Sequence, residues 1–195
     1  MLLAIGLLGD RIFGGTPTAD WAELPVEIAR LFASAPPFAR RAADLLAGRV
    51  SIDLVGAGAA LATAGEAAIL IREAVRIPAV GWDTLNYLHG PMAAQNGRTG
   101  LIALGNGREV DIVRDVAGFG CPSVLVTNRD DIAAGDNLAV IRVPSLDNEI
   151  ADAIVQIIAA QMVVADMQDD AGLTDIRFRY PQSGTKLKAW SPNEL

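Results

Sequence analysis

Three residues between positions 66 and 89 have side chains that can move protons near neutral pH. Glu66 and Glu73 stand seven residues apart in an alanine-rich stretch, so on a helix both carboxylates share one face and lie about 10 Å apart along the axis. His89, the only histidine, precedes Gly90 and Pro91, and this turn would hold the imidazole in place. Because imidazole titrates close to neutral pH, the three residues predict general acid–base chemistry.

Each of these residues also has a structural interpretation. Glu73 directly follows Arg72 and precedes Arg76 by three residues, so an ion pair on the helix surface would account for it. A single histidine such as His89 is more often a solvated surface residue than a catalyst. The residue types alone leave both interpretations open.

A glycine-rich turn is a further candidate site. Gly56, Ala57 and Gly58 stand between a β-rich run and an alanine-rich helix, where backbone N–H groups and the helix dipole can hold an anion or a sugar oxygen. A dinucleotide fingerprint would need glycine at position 61, and the residue there is Leu61, so we do not expect NAD. With one cysteine, Cys121, and one histidine in the chain, a zinc site made of Cys and His ligands is also excluded. We therefore predict neither a cofactor nor a metal.

The two lysines, Lys186 and Lys188, lie near the C-terminus. A lysine, unlike an arginine, can lose its proton and form a Schiff base with a carbonyl group. Both stand in a polar segment without hydrophobic periodicity, so the pattern alone assigns them no structure.

These residues must be positioned by a chain of 195 residues in which strands and helices alternate. The strands are expected at five apolar runs: 50–55, 77–82, 99–104, 122–127 and 138–143. The helices are expected at 1–10, at 21–34 with Asp20 as N-cap, in a segment ending at Gly48, and at 60–76, 108–118 and 147–167. Unbroken apolar runs are typical of buried parallel strands. The pattern therefore predicts an α/β fold with a mostly parallel five-stranded sheet covered by helices on both faces.

Length and charge restrict the remaining possibilities. The chain fits one domain, with N-terminal helices at 1–48, an α/β core at 49–168 and a C-terminal tail at 169–195 that carries Lys186. Its net charge of −7 and pI near 4.6 disfavour nucleic acid or an anionic membrane surface as a partner. The apolar opening lacks the basic start and the cleavage site of a signal peptide, and a lone cysteine favours a reducing compartment. We therefore expect a cytoplasmic protein without a membrane segment.

Three segments together resemble the SIS (sugar isomerase) family. The most specific is GEAAILIREAVRIPAVGWDTLNYLHGP, from Gly65 to Pro91, in which a glutamate-led helix, a short strand and the tripeptide HGP have the family's spacing. The later runs REVDIVRDVAGFGCPSVLVTN and RYPQSGTK are similar to a later strand of the family and to its C-terminal lysine segment. The pattern most resembles the second SIS subdomain of the glucosamine-6-phosphate synthase isomerase domain and of related sugar deaminases and deglycases. This resemblance implies a flavodoxin-like α/β fold and a phosphorylated sugar as substrate.

The resemblance also implies roles for individual residues. Glu73 matches the base that moves a proton between C1 and C2, and Glu66 matches a supporting glutamate. His89 matches the ring-opening histidine, which is typically donated across a dimer interface, and Lys186 matches the lysine near the sugar carbonyl. We expect further substrate contacts from the glycine turn, the helix after it and the start of a later helix: Gly56, Gly58, Thr63 and Arg108.

Departures from the family leave two functions open. Leu70 stands where the family has a lysine, and no S-x-S-G-x-T phosphate loop occurs in the sequence, where the place after the third strand reads LGNGRE. One expectation is the catalytic-residue half of an aldose–ketose or amino-sugar isomerase or deaminase, working with a separate chain that carries the first SIS half. The other is a non-catalytic sugar-phosphate-binding or interaction module. In both cases we expect a hexose or amino-hexose 6-phosphate as ligand. We also expect a homodimer or larger oligomer, because an apolar helix at 1–10 needs a covering partner.

Overall fold

The structure is a computed structural model, and it describes residues 2–13 and 21–174. Its strands are β1 (Ser51–Gly56), β2 (Ala79–Asp83), β3 (Thr99–Leu104), β4 (Ser123–Thr127) and β5 (Leu138–Arg142). They form one parallel sheet in the order β2-β1-β3-β4-β5. The predicted five-stranded sheet is confirmed, because parallel strands buried on both faces are recognisable as unbroken apolar runs.

Helices cover both faces of this sheet. In the described residues they are α1 (Leu2–Phe13), α2 (Leu24–Ser34), α3 (Pro36–Leu46), α4 (Ala59–Leu70), α5 (Thr84–Leu88), α6 (Arg108–Gly118) and α7 (Glu149–Asp170). α5 and a 3₁₀ turn at Pro91–Ala94 were not predicted, because such short elements carry no periodic pattern.

The predicted start of α2 was wrong. Residues 21–23 form a turn, and the helix begins at Leu24 with a proline in its first turn. Glu23 is the N-cap and makes no capping hydrogen bond with its side chain. Asp20, the predicted cap, lies outside the described residues.

The two faces of the sheet carry separate hydrophobic cores. On the first face, α2, α3, α4 and α7 enclose a large core that includes Leu54 and Ile102. On the second face, α5 and α6 cover a smaller core that includes Val55, Leu101 and Tyr87. The strand order is the flavodoxin-like one, so the predicted α/β architecture is confirmed.

Two glycines bring α4 onto the edge strand β2. A Cβ atom at Gly81 of β2 would lie 2.8 Å from the N and Cα atoms of Gly65 on α4, so a side chain does not fit at position 81. After Leu70 the helix widens into a π-helical turn, Ile71–Val75, which ends at Arg76 with a left-handed φ of 64°. The predicted helical stretch to about residue 76 is confirmed in its extent, and its last turn is π-helical, a change that no glycine or proline marks.

α7 is the long core helix of the first face. Its N-cap, Asn148, accepts hydrogen bonds from the backbone N–H groups of Ile150 and Ala151, both at 3.0 Å. Among the described helices it alone is long and apolar enough to span a membrane, with a mean hydropathy of 1.6, and half of that window is buried inside the fold. Because α7 packs on α3 and α4, we interpret it as a core helix.

α1 packs through only part of its surface. Gly6 is buried, and a Cβ atom there would collide with the indole of Trp21. The Trp21 Nε1 atom donates a 2.7 Å hydrogen bond to Oδ2 of Asp10. Other apolar side chains of α1 are solvent-exposed, including Leu8 at 58% and Ile12 at 67%. The predicted apolar helix is present, and within one chain an apolar side of it stays uncovered.

Candidate functional site

A cavity of about 480 Å³ opens at the carboxyl ends of the strands. It lies where β1 and β3 are neighbours. There the chain leaves β1 toward α4 on the first face and leaves β3 toward α6 on the second, so the loops diverge. The volume is that of a small-molecule site. We name this cavity the carboxyl-edge pocket; its lining consists of residues 57–60, 84–85, 104–109 and 128, and of Glu149, Asp152 and Gln156 on α7.

The buried carboxylate of Glu109 forms one wall of the carboxyl-edge pocket. Glu109 is 5% exposed. Its Oε1 atom accepts a 2.5 Å hydrogen bond from Oγ1 of Thr84, and its Oε2 atom accepts a 3.2 Å hydrogen bond from the backbone N–H of Gly107. A Cβ atom at Gly105, whose φ is 149°, would lie 2.6 Å from the same Oε2 atom. The carboxylate thus connects the first residue of α5 to the turn after β3.

The first turns of α7 form a second wall. Asp152 accepts a 2.8 Å hydrogen bond from the backbone N–H of Leu146. Burial raises the pKa of the Asp152 carboxyl, and the negative charges of Asp147 and Glu149 raise it further. Gln156, one turn later, is 8% exposed, and its Oε1 atom has no hydrogen-bond partner among the described residues. Such an unsatisfied buried oxygen costs free energy. A ligand that donates a hydrogen bond to Gln156 would remove this cost.

Two of the predicted substrate-binding residues line the carboxyl-edge pocket. Gly58, with a positive φ of 55°, and Arg108, exposed at the start of α6, are both part of its surface. Gly56 ends β1 and does not line the pocket. Thr63 is buried on α4, where its Oγ1 atom donates a 3.1 Å hydrogen bond to the carbonyl oxygen of Ala153 on α7. Its hydroxyl therefore joins two helices and does not face the pocket.

Glu66 and Glu73 lie in a different part of the molecule. Both are exposed, Glu66 on α4 and Glu73 in the π-helical turn. Because α4 leads from the carboxyl end of β1 back to the start of the parallel strand β2, Glu73 stands near the amino ends of the strands. Arg72 donates a 2.6 Å hydrogen bond to the carbonyl oxygen of Ala79, and no salt bridge between described residues includes Glu73.

His89 lies at the end of α5, the helix that packs on the second face of the sheet. It is the exposed C-cap of α5, a helix whose N-cap, Asp83, accepts two backbone hydrogen bonds from the first turn. Tyr87 of α5 is buried in the core of the second face, whereas α4 belongs to the first face. The edge strand β2 therefore separates Glu73 from His89, and one chain does not bring the two together. We refer to Glu66, Glu73 and His89 as the acid–base residues.

The remaining predicted site residue, Lys186, lies outside the described residues, as does Lys188. Conversely, the sequence analysis missed Thr84, Glu109 and Asp152, because these come from segments far apart in the chain. One signal was present for Gln156, which interrupts the apolar run AIVQIIAAQMVV of α7. A polar side chain within such a run indicates either a buried hydrogen bond or a ligand contact.

No family model and no curated protein matches the sequence, but solved structures match the fold. The C-terminal domain of glucosamine-fructose-6-phosphate aminotransferase from Francisella tularensis aligns with a TM-score of 0.68 over 77% of this chain and 44% of that chain, at 15% identity. Tagatose-6-phosphate ketose/aldose isomerase from Escherichia coli aligns with a TM-score of 0.65 over 83% and 47%, at 14% identity. Glucosamine-6-phosphate deaminase from Thermotoga maritima aligns with a TM-score of 0.59 over 87% and 50%, at 16% identity.

The chain spans about half the length of each of these three solved chains. The structural likeness agrees with the resemblance that the glutamate-led helix and the HGP tripeptide indicate in the sequence. This chain has the flavodoxin-like α/β fold of the SIS-domain phosphosugar isomerases.

Proposed function

We propose that this chain is a phosphosugar-binding SIS domain that supplies the acid–base half of an aldose–ketose isomerase or deaminase. Its substrate is a hexose or amino-hexose 6-phosphate. The observation that carries this proposal is the placement of Glu73, whose carboxylate is exposed on a π-helical turn in the fold of phosphosugar isomerases. Single π-helical turns interrupt helices frequently at functional sites. The left-handed Arg76 that ends this turn adds backbone strain of the kind that functional sites retain.

The chemistry requires two separate groups. Aldose–ketose isomerisation moves a proton between two neighbouring carbons of the sugar, which is the task of a positioned carboxylate such as that of Glu73. Glu66 lies about two turns earlier on the same helix and supports that site. Opening of the sugar ring needs a proton carrier near the ring oxygen, and the imidazole of His89 has the chemistry for it. Lys186 completes the set as the group near the sugar carbonyl.

A second surface must complete this site. Glu73 and His89 are attached to opposite faces of the sheet, so we propose that one sugar meets the glutamate of one subunit and the histidine of another. Small-molecule sites usually bury most of the ligand, and exposed side chains on one chain do not provide that burial. The uncovered apolar side of α1 offers surface for a homodimer or larger oligomer. A separate SIS half would supply the phosphate contacts.

A non-catalytic sugar-phosphate-binding or interaction domain is the second candidate function. Leu70, which stands in place of the family's lysine, is partly buried against the core of the first face and brings no charge toward Glu73. The turn after β3 also lacks the Ser/Thr-rich phosphate loop. Under this alternative the sugar phosphate binds, and the acid–base residues do not affect any reaction rate.

A titration followed by amide NMR tests the proposed function. Fructose 6-phosphate added to the full chain is expected to shift the amide signals of Glu66, Glu73 and His89, whereas glucose and inorganic phosphate alone shift them less. Glu73→Gln should weaken this response. The matched control Asp115→Asn, an exposed acid on α6, should leave it unchanged. No response at the acid–base residues would contradict the proposal, and binding without proton exchange at C1 or C2 would favour the non-catalytic function.

A further inference from the structure

The turn after β3 has the features of an anion-binding loop. Gly105, Asn106 and Gly107 connect a buried strand to the first residue of α6, where N–H groups and the helix dipole attract negative charge. In this chain the negative charge at the turn comes from the protein itself, from the carboxylate of Glu109. Oε2 of Glu109 accepts the hydrogen bond from the N–H of Gly107 and lies so close to Gly105 that a Cβ atom there would be 2.6 Å away. A phosphate oxygen that entered the turn would have to displace this carboxylate.

The carboxylate of Glu109 is also held from its other side. The hydroxyl of Thr84 donates to its Oε1 atom at 2.5 Å, and Thr84 is itself only 2% exposed. No ion pair between described residues includes Glu109, so these two donors and the dipole of α6 stabilise its buried charge. A buried carboxylate without a cationic partner is costly, and its position in the pocket wall therefore points to a role in ligand selection.

The rest of the carboxyl-edge pocket also disfavours a phosphate group. Glu149 and Asp152 add two further carboxyl groups, whereas Arg108 is the one basic side chain among the described lining residues and is exposed to solvent. A phosphate dianion would meet like charge at close range. Hydroxyl groups would instead find acceptors. The clearest of these is Oε1 of Gln156, which is buried and unpartnered among the described residues.

We propose that Glu109 is a specificity-determining residue that excludes phosphate from the carboxyl-edge pocket, and that this pocket binds an uncharged polyol. The hydroxyl groups of the polyol donate hydrogen bonds to Gln156 and Asp152. This inference does not depend on the proposed function, because none of the acid–base residues lines the pocket.

Two ligand probes test the chemistry of the pocket. The full chain is titrated separately with D-glucitol and with inorganic phosphate at constant ionic strength, and backbone amide signals are followed by NMR. We expect saturable shifts at Asp152 and Gln156 with glucitol, and no saturable shift at Gly105 or Gly107 with phosphate. Gln156→Leu, which replaces the carboxamide by an apolar group of similar size, should weaken glucitol binding by about tenfold, since a hydrogen bond in a buried site is lost.

Two variants of Glu109 test the exclusion of phosphate. Glu109→Ala empties the turn and should create phosphate-dependent shifts at Gly105, Gly107 and Arg108, with a gain in affinity of roughly tenfold or more, as expected for new charge-assisted hydrogen bonds. Glu109→Gln keeps the size and removes the charge. It should show a smaller gain, and it serves as the test variant where the alanine variant does not fold. The control Asp115→Asn removes an exposed carboxylate of the same helix that does not line the pocket, and it should create no such shifts.

Three results would each overturn the proposal. The first is saturable phosphate binding by the wild-type chain at the turn after β3. The second is the absence of glucitol binding by the wild-type chain. The third is a folded Glu109 variant, with alanine or glutamine, that gains no affinity for phosphate.

Discussion

The carboxyl-edge pocket and the acid–base residues differ in how the fold holds them. In the pocket, Glu109 and Gln156 are more than nine-tenths buried, and Glu109 accepts hydrogen bonds from the first residue of α5 and from the turn after β3. Glu66, Glu73 and His89 are exposed, and neither glutamate side chain is hydrogen-bonded to a described residue. The pocket is therefore preorganised within one chain, whereas Glu66, Glu73 and His89 have defined backbone positions and exposed side chains.

The backbone around the acid–base residues is nonetheless specific. Glu73 stands on a π-helical turn closed by a left-handed residue, and His89 ends a short helix whose N-cap makes two hydrogen bonds. The two regions should therefore respond to different substitutions. A substitution that disturbs the packing of α4 should affect the acid–base residues, and one that disturbs the turn after β3 should affect the carboxyl-edge pocket.

The largest expected effect is on proton transfer. In the assembled oligomer, Glu73→Gln should lower the exchange of solvent deuterium into C1 of fructose 6-phosphate by about 10²- to 10⁴-fold, the usual contribution of a general base. Because Glu73 is exposed, the free energy of unfolding should not change. The measurement is deuterium incorporation followed by proton NMR. Exchange at the wild-type rate in this variant would remove Glu73 from the chemistry.

The next largest effect is expected on the free energy of unfolding, through the packing of α4 on β2. In Gly81→Ala the new Cβ atom meets backbone atoms of Gly65 at 2.8 Å, and backbone does not yield as a flexible side chain does. The free energy of unfolding should fall by about 2–3 kcal/mol, measured by urea denaturation. The matched control is Gly118→Ala, where nothing lies within 4 Å, and it should leave stability unchanged or raise it by up to about 1 kcal/mol. Equal stabilities of the two variants would contradict the close approach of α4 and β2.

A smaller effect is expected for the turn of the carboxyl-edge pocket. Gly105 has a φ of 149°, and in Gly105→Ala the new Cβ atom meets the movable side chain of Glu109. We expect the free energy of unfolding to fall by about 1–2 kcal/mol. The amide NMR signals of Thr84 and Gly107 should shift, and those of Glu66 and Glu73 should not. Shifts spread equally over both regions would show that the two are not independent.

The smallest effect concerns pH. Burial raises the folded-state pKa of Asp152, with Asp147 and Glu149 adding to the shift, so the folded chain binds this proton more tightly than the unfolded chain. Stability linked to this group is therefore lost as pH rises from about 4 through the raised folded-state pKa. Asp152→Asn keeps an oxygen that can accept the hydrogen bond of Leu146. Its Tm should exceed that of the wild type by about 1–3 °C at pH 7.

The control for this prediction is the same pair of proteins at pH 3.5, where the wild-type carboxyl is protonated. The difference in Tm should largely disappear there. A wild-type chain that is more stable than Asp152→Asn at pH 7 would contradict the direction of the pKa shift.

The sequence predicted the sheet well and the site only in part. The strands β3, β4 and β5 are largely apolar and buried, and burial on both faces produces that pattern directly. The π-helical turn could not be predicted, because Ile71–Val75 contains neither a glycine nor a proline that would mark a change of helix type. The pocket was missed for a different reason. Glu109 on α6 and Gln156 on α7 are 47 residues apart in the sequence and line one pocket only in the folded chain.

Mixing of inactive variants tests whether one site is shared by two subunits. Glu73→Gln and His89→Asn subunits are each prepared, mixed in equal amounts under conditions of subunit exchange, and assayed for deuterium exchange into fructose 6-phosphate. If one site uses the glutamate of one subunit and the histidine of its neighbour, the mixture of dimers should regain about a quarter of the wild-type activity, because half of the dimers are mixed and each has one intact site. If the mixture stays as inactive as the separate variants although mixed dimers have formed, each subunit uses its own two residues and the account is contradicted.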